Sequence, residues 1–217
     1  WELAGEFETN MNTTLDNMSA AGVCTTNHSV GLAETNDTYT QSSVTHDTNA
    51  FDHPGMLQCM AAGNSGAVAN ALSSQAVVKN ALTVGASDDV LLAENRASFS
   101  SIGPTFDGRI KPDIMAAGTD DAPRTSGVQS LLILPNSNGT SAASCEYHYT
   151  SGTSFSSPTA AGAGALVHQF FEEGRYAGTP AILSASAALM KAALVNSGHR
   201  LTGANLSTGV YPSSYQG

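Results

Sequence analysis

The sequence has little positive charge, few charged residues of any kind and no long apolar run. Its 217 residues include 8 Lys and Arg against 18 Asp and Glu, which gives a formal net charge of -10. A chain with this charge repels nucleic acid phosphates and anionic lipid surfaces, so we expect neither nucleic acid nor membrane as a partner. No apolar stretch approaches the roughly 20 residues that cross a bilayer, so no membrane span is predicted.

Cysteines are also few. Cys24, Cys59 and Cys145 have no short paired spacing, which argues against a zinc site or a disulfide framework. No repeat at a fixed period is visible. The length and the 41% hydrophobic content are enough to bury one core, so the chain is expected to be one domain or part of one.

The two ends of the sequence carry no start or targeting signal. Residues 1–6 include no initiator Met and have neither the basic region nor the apolar run of a signal peptide. We therefore expect both termini to be cuts in a longer protein. An extracellular or secretory-pathway location is predicted in part from six Asn-x-Ser/Thr sequons, although a chain rich in Asn, Ser and Thr also produces sequons by chance. They begin at Asn12, Asn17, Asn27, Asn36, Asn138 and Asn205.

Short apolar runs alternate with helical or polar segments. Met11, Leu15 and Met18 form a helical stripe before Gly22, and Val44 and Phe51, seven residues apart, indicate a second helix more weakly. Strands are predicted at 23–31, 56–62, 81–86 and 114–117. This order favours an α/β fold whose parallel sheet is covered on both faces.

Two further helices are predicted near the end of the chain. The first runs from about residue 154 to 171 and is almost entirely Ala and Gly at 160–165, which predicts close packing on all its faces. The second has Leu183, Ala187, Met190 and Leu194 on one stripe and stops at Gly198.

Ser154 is the strongest candidate for chemistry. It lies in Ser-Gly-Thr-Ser-Phe-Ser-Ser-Pro at 151–158, at the start of the small-residue helix. A helix N-terminus offers free N–H groups and a positive dipole end, which favour a developing oxyanion. Spacing alone favours a simple helix cap over a catalytic serine.

Asn64 is the second candidate. It follows an apolar strand in Ala-Ala-Gly-Asn-Ser-Gly at 61–66, where a side-chain amide could donate a hydrogen bond to an oxyanion. An ordinary loop turn is the alternative reading of this segment in isolation.

Together these segments resemble the subtilisin family of serine proteases. Residues 151–158 resemble its nucleophile segment and 61–66 its oxyanion stretch, while 79–86, 97–105 and 108–114 are similar to other hallmarks of the family in the same order. The resemblance covers nearly all of residues 23–200. Ile102 and Ala117 depart from the usual Arg and Pro, and neither touches the proposed chemistry.

The resemblance implies a three-layer subtilisin-like fold with a central parallel sheet, incomplete at the N-terminal side. It implies an endopeptidase that acts on polypeptides through an acyl-enzyme at Ser154, with Asn64 as oxyanion donor. Ser29, Val30 and Gly31 would pair with extended substrate, and Ala62 and Gly63 would also contact it. No cofactor is expected, and no set of residues identifies a structural calcium site.

The partners of the nucleophile are not found in the sequence. In this family the order is Asp, His, Ser, so both should precede Ser154. None of the six histidines has the expected context, although His148 lies only six residues before Ser154. We expect the Asp and His to lie in a missing N-terminal part of the same catalytic domain, which is then the chain's partner.

Two alternatives remain. The chain could be a catalytically inactive binding or regulatory protein on the same scaffold, which the upstream coding sequence would decide. A nucleotide-binding domain with 63–66 as its phosphate loop is disfavoured, because the Lys-Ser/Thr of a P-loop and a Gly-x-Gly-x-x-Gly motif are both absent.

Overall fold

The computed structural model describes residues 4–30, 37–68, 71–88, 94–118, 128–132, 146–175, 184–203, 206, 212–213 and 215–216. Side chains of 4–9, 128–132 and 146–149 are outside this description. The elements are α1 (Ala4–Ala20), β1 (Thr25–His28), α2 (Gln41–Asp52), β2 (Leu57–Ala61), β3 (Leu82–Ser87), β4 (Ile114–Ala117), β5 (Val128–Leu132), β6 (Glu146–Thr150), α3 (Thr153–Glu172) and α4 (Ala187–Ser197).

The centre of the fold is a four-stranded parallel sheet in the order β1-β2-β3-β4. All four strands were predicted, β2 to β4 from their apolar runs, and β1 is shorter than the predicted strand at 23–31. β5 and β6, which the sequence did not predict, form a separate antiparallel pair. No helix in the described part of the chain is long and apolar enough to cross a membrane.

Helices cover both faces of the sheet. On one face, Leu57 and Cys59 of β2 join Leu82 and Val84 of β3 in a buried cluster with α3 and α4. On the other face, Gln58 bonds to residues of α2. Successive residues of β2 therefore face the helices on opposite sides of the sheet. This is the predicted three-layer α/β arrangement.

Helix α2 exists as predicted, but the two apolar residues that indicated it do not face the core. Val44 and Phe51 are exposed, the latter by 79%. The buried face is polar and consists of Ser43, His46, Asp47 and Asn49. These side chains are buried because each has a partner: His46 and Asn49 bond to Gln58, Ser43 bonds to the Ser74 carbonyl, and Asp47 accepts from the amides of Lys79 and Asn80.

Helix α3 lies against all four parallel strands. Contrary to the sequence prediction, it is not packed on every face: Gly162, Ala165 and Leu166 are exposed, whereas Ala160, Ala161 and Gly164 are buried. Small residues are needed only on the sheet side, where a Cβ on Gly164 would come within 3.1 Å of Thr25. In α4, Ala187, Met190 and Leu194 form the buried stripe as predicted, and Leu183 lies outside the described residues.

Candidate active site

Ser154 is the second residue of α3 and is half-buried. The helix starts directly after Gly152, whose φ of 155° and ψ of 153° suit glycine and few other residues. The chain therefore turns sharply into the helix, where the N–H groups of Gly152, Thr153 and Phe155 bond to Gly118, Asn64 and Gly152, and the Ser154 N–H lies beside its own hydroxyl. The local geometry places this hydroxyl at the positive end of a 20-residue helix.

Ser29 lies directly against Ser154. The Ser154 hydroxyl donates to the Ser29 carbonyl at 3.3 Å, and the Ser29 hydroxyl donates to the Ser154 carbonyl at 2.8 Å. Ser29 follows β1, so the structure brings the predicted substrate-binding segment to the predicted nucleophile across 125 residues of sequence.

Asn64 is held from the same helix. Its Oδ1 accepts hydrogen bonds from both the backbone N–H and the hydroxyl of Thr153, each at 2.9 Å. A backbone N–H can only donate, so the atom facing it must be the oxygen, and the Nδ2 donor is directed elsewhere. Nδ2 has no hydrogen-bond partner among the described residues.

Thr153 also connects the start of α3 to the loop that carries Asn64. Its hydroxyl accepts from the Gly63 amide at 3.2 Å while it donates to Asn64. It is 1% exposed. Sequence reasoning gave Thr153 no role beyond its place in the Gly-Thr-Ser motif, and that motif was the only available signal.

The other described residues that were predicted to bind substrate differ in how exposed they are. Val30 is 41% exposed, and Gly31 lies outside the described residues. Ala62 is fully buried, with its amide bonded to Val84 and its carbonyl to Ser73. Gly63 is half-buried, so of these two only Gly63 presents surface to a substrate.

Among the described side chains, no histidine bonds to Ser154. His28 is adjacent to Ser29 in sequence but faces the opposite layer, where it bonds to Thr26 and packs edge-on against His46 of α2. Burial, and secondarily the neighbouring His46, lower the pKa of His28 to about 3. His28 is thus held neutral and away from the candidate nucleophile. The side chain of His148 is outside the described residues.

The arrangement defines a class of site: a serine at the N-terminus of a buried helix, beside an asparagine with an available amide donor, on an α/β fold. The chain belongs to the subtilase family, whose model matches residues 5–210.

Two relatives match about half of the chain. The serine protease AprX of Bacillus subtilis is 40% identical over 119 residues, which are 53% of this chain and 26% of AprX. The serine protease/ABC transporter B family protein tagB of Dictyostelium discoideum is 34% identical over 119 residues, 50% of this chain and 6% of that protein.

Solved structures share the fold. A protease from Pseudoalteromonas arctica PAMC 21717 superposes with a TM-score of 0.61 at 20% identity, covering 82% of this chain and 45% of the other. The PatG macrocyclase in complex with peptide also gives 0.61, at 18% identity, covering 88% and 48%. The chain therefore spans about a quarter or less of these two sequence relatives and about half of these structures.

Proposed function

We propose that the protein carrying this chain is a serine endopeptidase that cleaves polypeptides through an acyl-enzyme on Ser154. The observation that carries the proposal is the contact between α3 and the Asn64 loop. It brings together the Ser154 hydroxyl, the Ser154 N–H at the helix N-terminus and the side-chain amide donor of Asn64. Family membership supports the same chemistry.

In the proposed reaction, Ser154 Oγ attacks the scissile carbonyl carbon while its proton passes to a general base. The carbonyl oxygen becomes an oxyanion, which the helix N-terminus and Asn64 Nδ2 stabilise. Collapse breaks the C–N bond, and the amine leaves with the proton. Water then hydrolyses the ester and frees Ser154. The chemistry uses no cofactor.

The base and its orienting acid are proposed to come from an N-terminal part of the same catalytic domain. The chain's short coverage of its relatives supports this, as does the absence of a histidine bonded to Ser154 among the described side chains. An extracellular or secretory-pathway location is proposed on the basis of the sequons. Residues 1–217 produced alone should then hydrolyse peptides far more slowly than the longer protein, whereas equal rates would place the base within this chain.

The substrate is proposed to bind as an added strand along 29–31. Ser29 is fixed against Ser154, and exposed Val30 leads away from it, so an extended peptide could pair with this backbone beside the nucleophile. Gly31 would leave room for the main chain of the peptide. Gly31→Val should therefore weaken extended substrates more than single-residue esters, and equal losses on both would contradict this role.

The proposed function is tested by comparing Ser154→Ala with a neighbouring serine in the same helix. The Ser157 hydroxyl is fully buried and has no hydrogen-bond partner among the described residues, so Ser157→Ala removes a hydroxyl without breaking a described contact. In the longer protein, Ser154→Ala should lower kcat by a factor on the order of 10⁶, while Ser157→Ala should keep near-normal kcat. Retained hydrolysis in Ser154→Ala would refute the proposed function.

A further inference from the structure

Asn64 lies at the tip of a loop that is held by a second segment, residues 96–101. The Ser101 amide donates to the Gly63 carbonyl at 3.0 Å, and the Ser101 hydroxyl accepts from the Ser65 amide at 3.1 Å. One residue therefore bonds to both sequence neighbours of Asn64. The Gly66 amide also donates to the Phe99 carbonyl at 2.6 Å.

Ser101 and Gly63 fit closely together. Gly63 has a φ of 112°, and a Cβ at that position would lie 2.8 Å from Ser101 Oγ. Ser101 itself is fully buried. The absence of a side chain on Gly63 allows the positive φ of the turn. It also leaves the space that the Ser101 hydroxyl needs to contact the Ser65 amide.

The supporting segment is itself fixed by a buried arginine. Arg96 is 2% exposed, and its Nη1 donates to the carbonyls of Ala97 at 2.9 Å and Ser100 at 2.5 Å. These are strong, charge-assisted bonds. The Asn64 loop therefore rests on a segment whose backbone has little freedom to shift.

We propose that Ser101 is a positioning residue for catalysis, acting through Asn64, an inference that rests on the proposed function. Thr153 fixes the Asn64 side chain from one side, and Ser101 fixes the backbone that carries it from the other. An oxyanion donor must be held within a fraction of an ångström to stabilise the transition state. Loss of the Ser101 hydroxyl removes the hydrogen-bond acceptor of the Ser65 backbone N–H. The loop can then shift and move the side-chain amide of Asn64 away from its position.

Ser100 provides a matched control. It is also fully buried, and its hydroxyl accepts from a backbone amide at 2.9 Å, but that amide belongs to Ala86 of β3. Ser100→Ala and Ser101→Ala therefore remove the same kind of hydrogen bond from adjacent residues. Only the second substitution touches the Asn64 loop.

The experiment measures kcat, KM and thermal unfolding of the longer active protein with Ser100→Ala, Ser101→Ala, Asn64→Ala and the double variant Asn64→Ala/Ser101→Ala. Ser101→Ala should lower kcat about tenfold with KM little changed, and Ser100→Ala should keep kcat while losing similar thermal stability. In the Asn64→Ala background, Ser101→Ala should have no further effect on kcat. Should Ser101→Ala fail to fold, Ser101→Cys keeps the side-chain volume with a weaker acceptor and should lower kcat in the same Asn64-dependent way.

Equal kcat losses in Ser100→Ala and Ser101→Ala, or a Ser101→Ala loss that persists undiminished without Asn64, would overturn the positioning role. The proposed function would still stand in either case, because Asn64→Ala should by itself lower kcat by about 10²–10³. An Asn64→Ala variant with unchanged kcat would refute both the oxyanion role of Asn64 and the role of Ser101.

Discussion

Pro158 lies four residues after Ser154 in α3, so the Ser154 carbonyl lacks the N–H donor that this helix position would normally supply. The Ser29 hydroxyl occupies that place at 2.8 Å. Pro158 lies in the second turn of α3, so its missing N–H removes a hydrogen bond that the helix would otherwise make. The missing N–H leaves the Ser154 carbonyl open to the hydroxyl of Ser29, the residue that follows β1.

This relationship predicts a coupling between Ser29 and Pro158. Ser29→Ala should lower the free energy of unfolding by about 1 kcal/mol, because a partly buried carbonyl loses its partner. In a Pro158→Ala background the new N–H can bond to the Ser154 carbonyl, so Ser29→Ala should cost almost nothing. Denaturant unfolding of the four proteins in this cycle measures the coupling, and equal costs in both backgrounds would contradict it.

A side chain in place of Gly118, which bonds to the residue before α3, is predicted to destabilise the protein. Its amide donates to the Ser87 carbonyl at 3.1 Å, its carbonyl accepts from the Gly152 amide at 2.7 Å, and a Cβ there would lie 2.0 Å from Ser156 Oγ. Gly118→Ala should therefore cost roughly 1–3 kcal/mol of stability and lower kcat by displacing the start of the helix.

Gly162→Ala is the control for that substitution. Gly162 is exposed in the middle of α3, with nothing within 4 Å of an added Cβ, so alanine should stabilise the helix by about 0.5–1 kcal/mol. Unfolding and hydrolysis assays on both variants check the pair. Similar behaviour of the two would show that the space around Gly118 does not matter.

Asp113 is predicted to be the central charge of a partly buried ion cluster. It accepts from Lys111 at 2.6 Å, from Lys191 at 3.2 Å and from the Thr83 amide at 2.7 Å. Burial lowers the pKa of Lys111 to about 8, even though the nearby Asp113 carboxylate acts to raise it. Asp113→Ala would leave Lys111, 3% exposed, without its counter-charge and should cost about 3–5 kcal/mol.

The exposed pair of Glu173 with Arg175 is the matched comparison. Glu173→Ala removes a carboxylate that water already screens, so the free energy of unfolding should stay nearly unchanged. Urea unfolding at neutral pH measures both variants. An equally small effect of Asp113→Ala would mean that the cluster contributes little to stability.

The neutral His28 predicts a loss of stability in acid. Its pKa is about 3 in the folded protein against an ordinary value of 6.5, so between these values the unfolded chain binds more protons. The free energy of unfolding should therefore fall as pH decreases from 6.5 towards 3, by at most about 1.4 kcal/mol per pH unit from this group. His28→Gln should flatten that slope, whereas His199→Gln, at an exposed residue, should not. An unchanged slope in His28→Gln would contradict the prediction.

The sequence predicted the sheet and the site segments better than it predicted contacts. Three apolar runs became β2, β3 and β4, because strands of a covered parallel sheet are rich in apolar residues, whereas the residues of β1 are all polar. The polar face of α2 was missed, because burial of His46 and Asn49 depends on Gln58 in another element. The Ser101 contacts were missed for the same reason: 97–105 was recognised as a family segment, but its proximity to Asn64 exists only in the folded chain.

Covalent labelling tests most directly whether Ser154 is the nucleophile. The full protein that carries this chain should be treated with a fluorophosphonate, digested and analysed by mass spectrometry to locate the adduct. A single adduct is expected on Ser154, lost in Ser154→Ala and retained in Ser157→Ala. An adduct on another serine, or no adduct in a protein that hydrolyses peptides, would contradict this assignment.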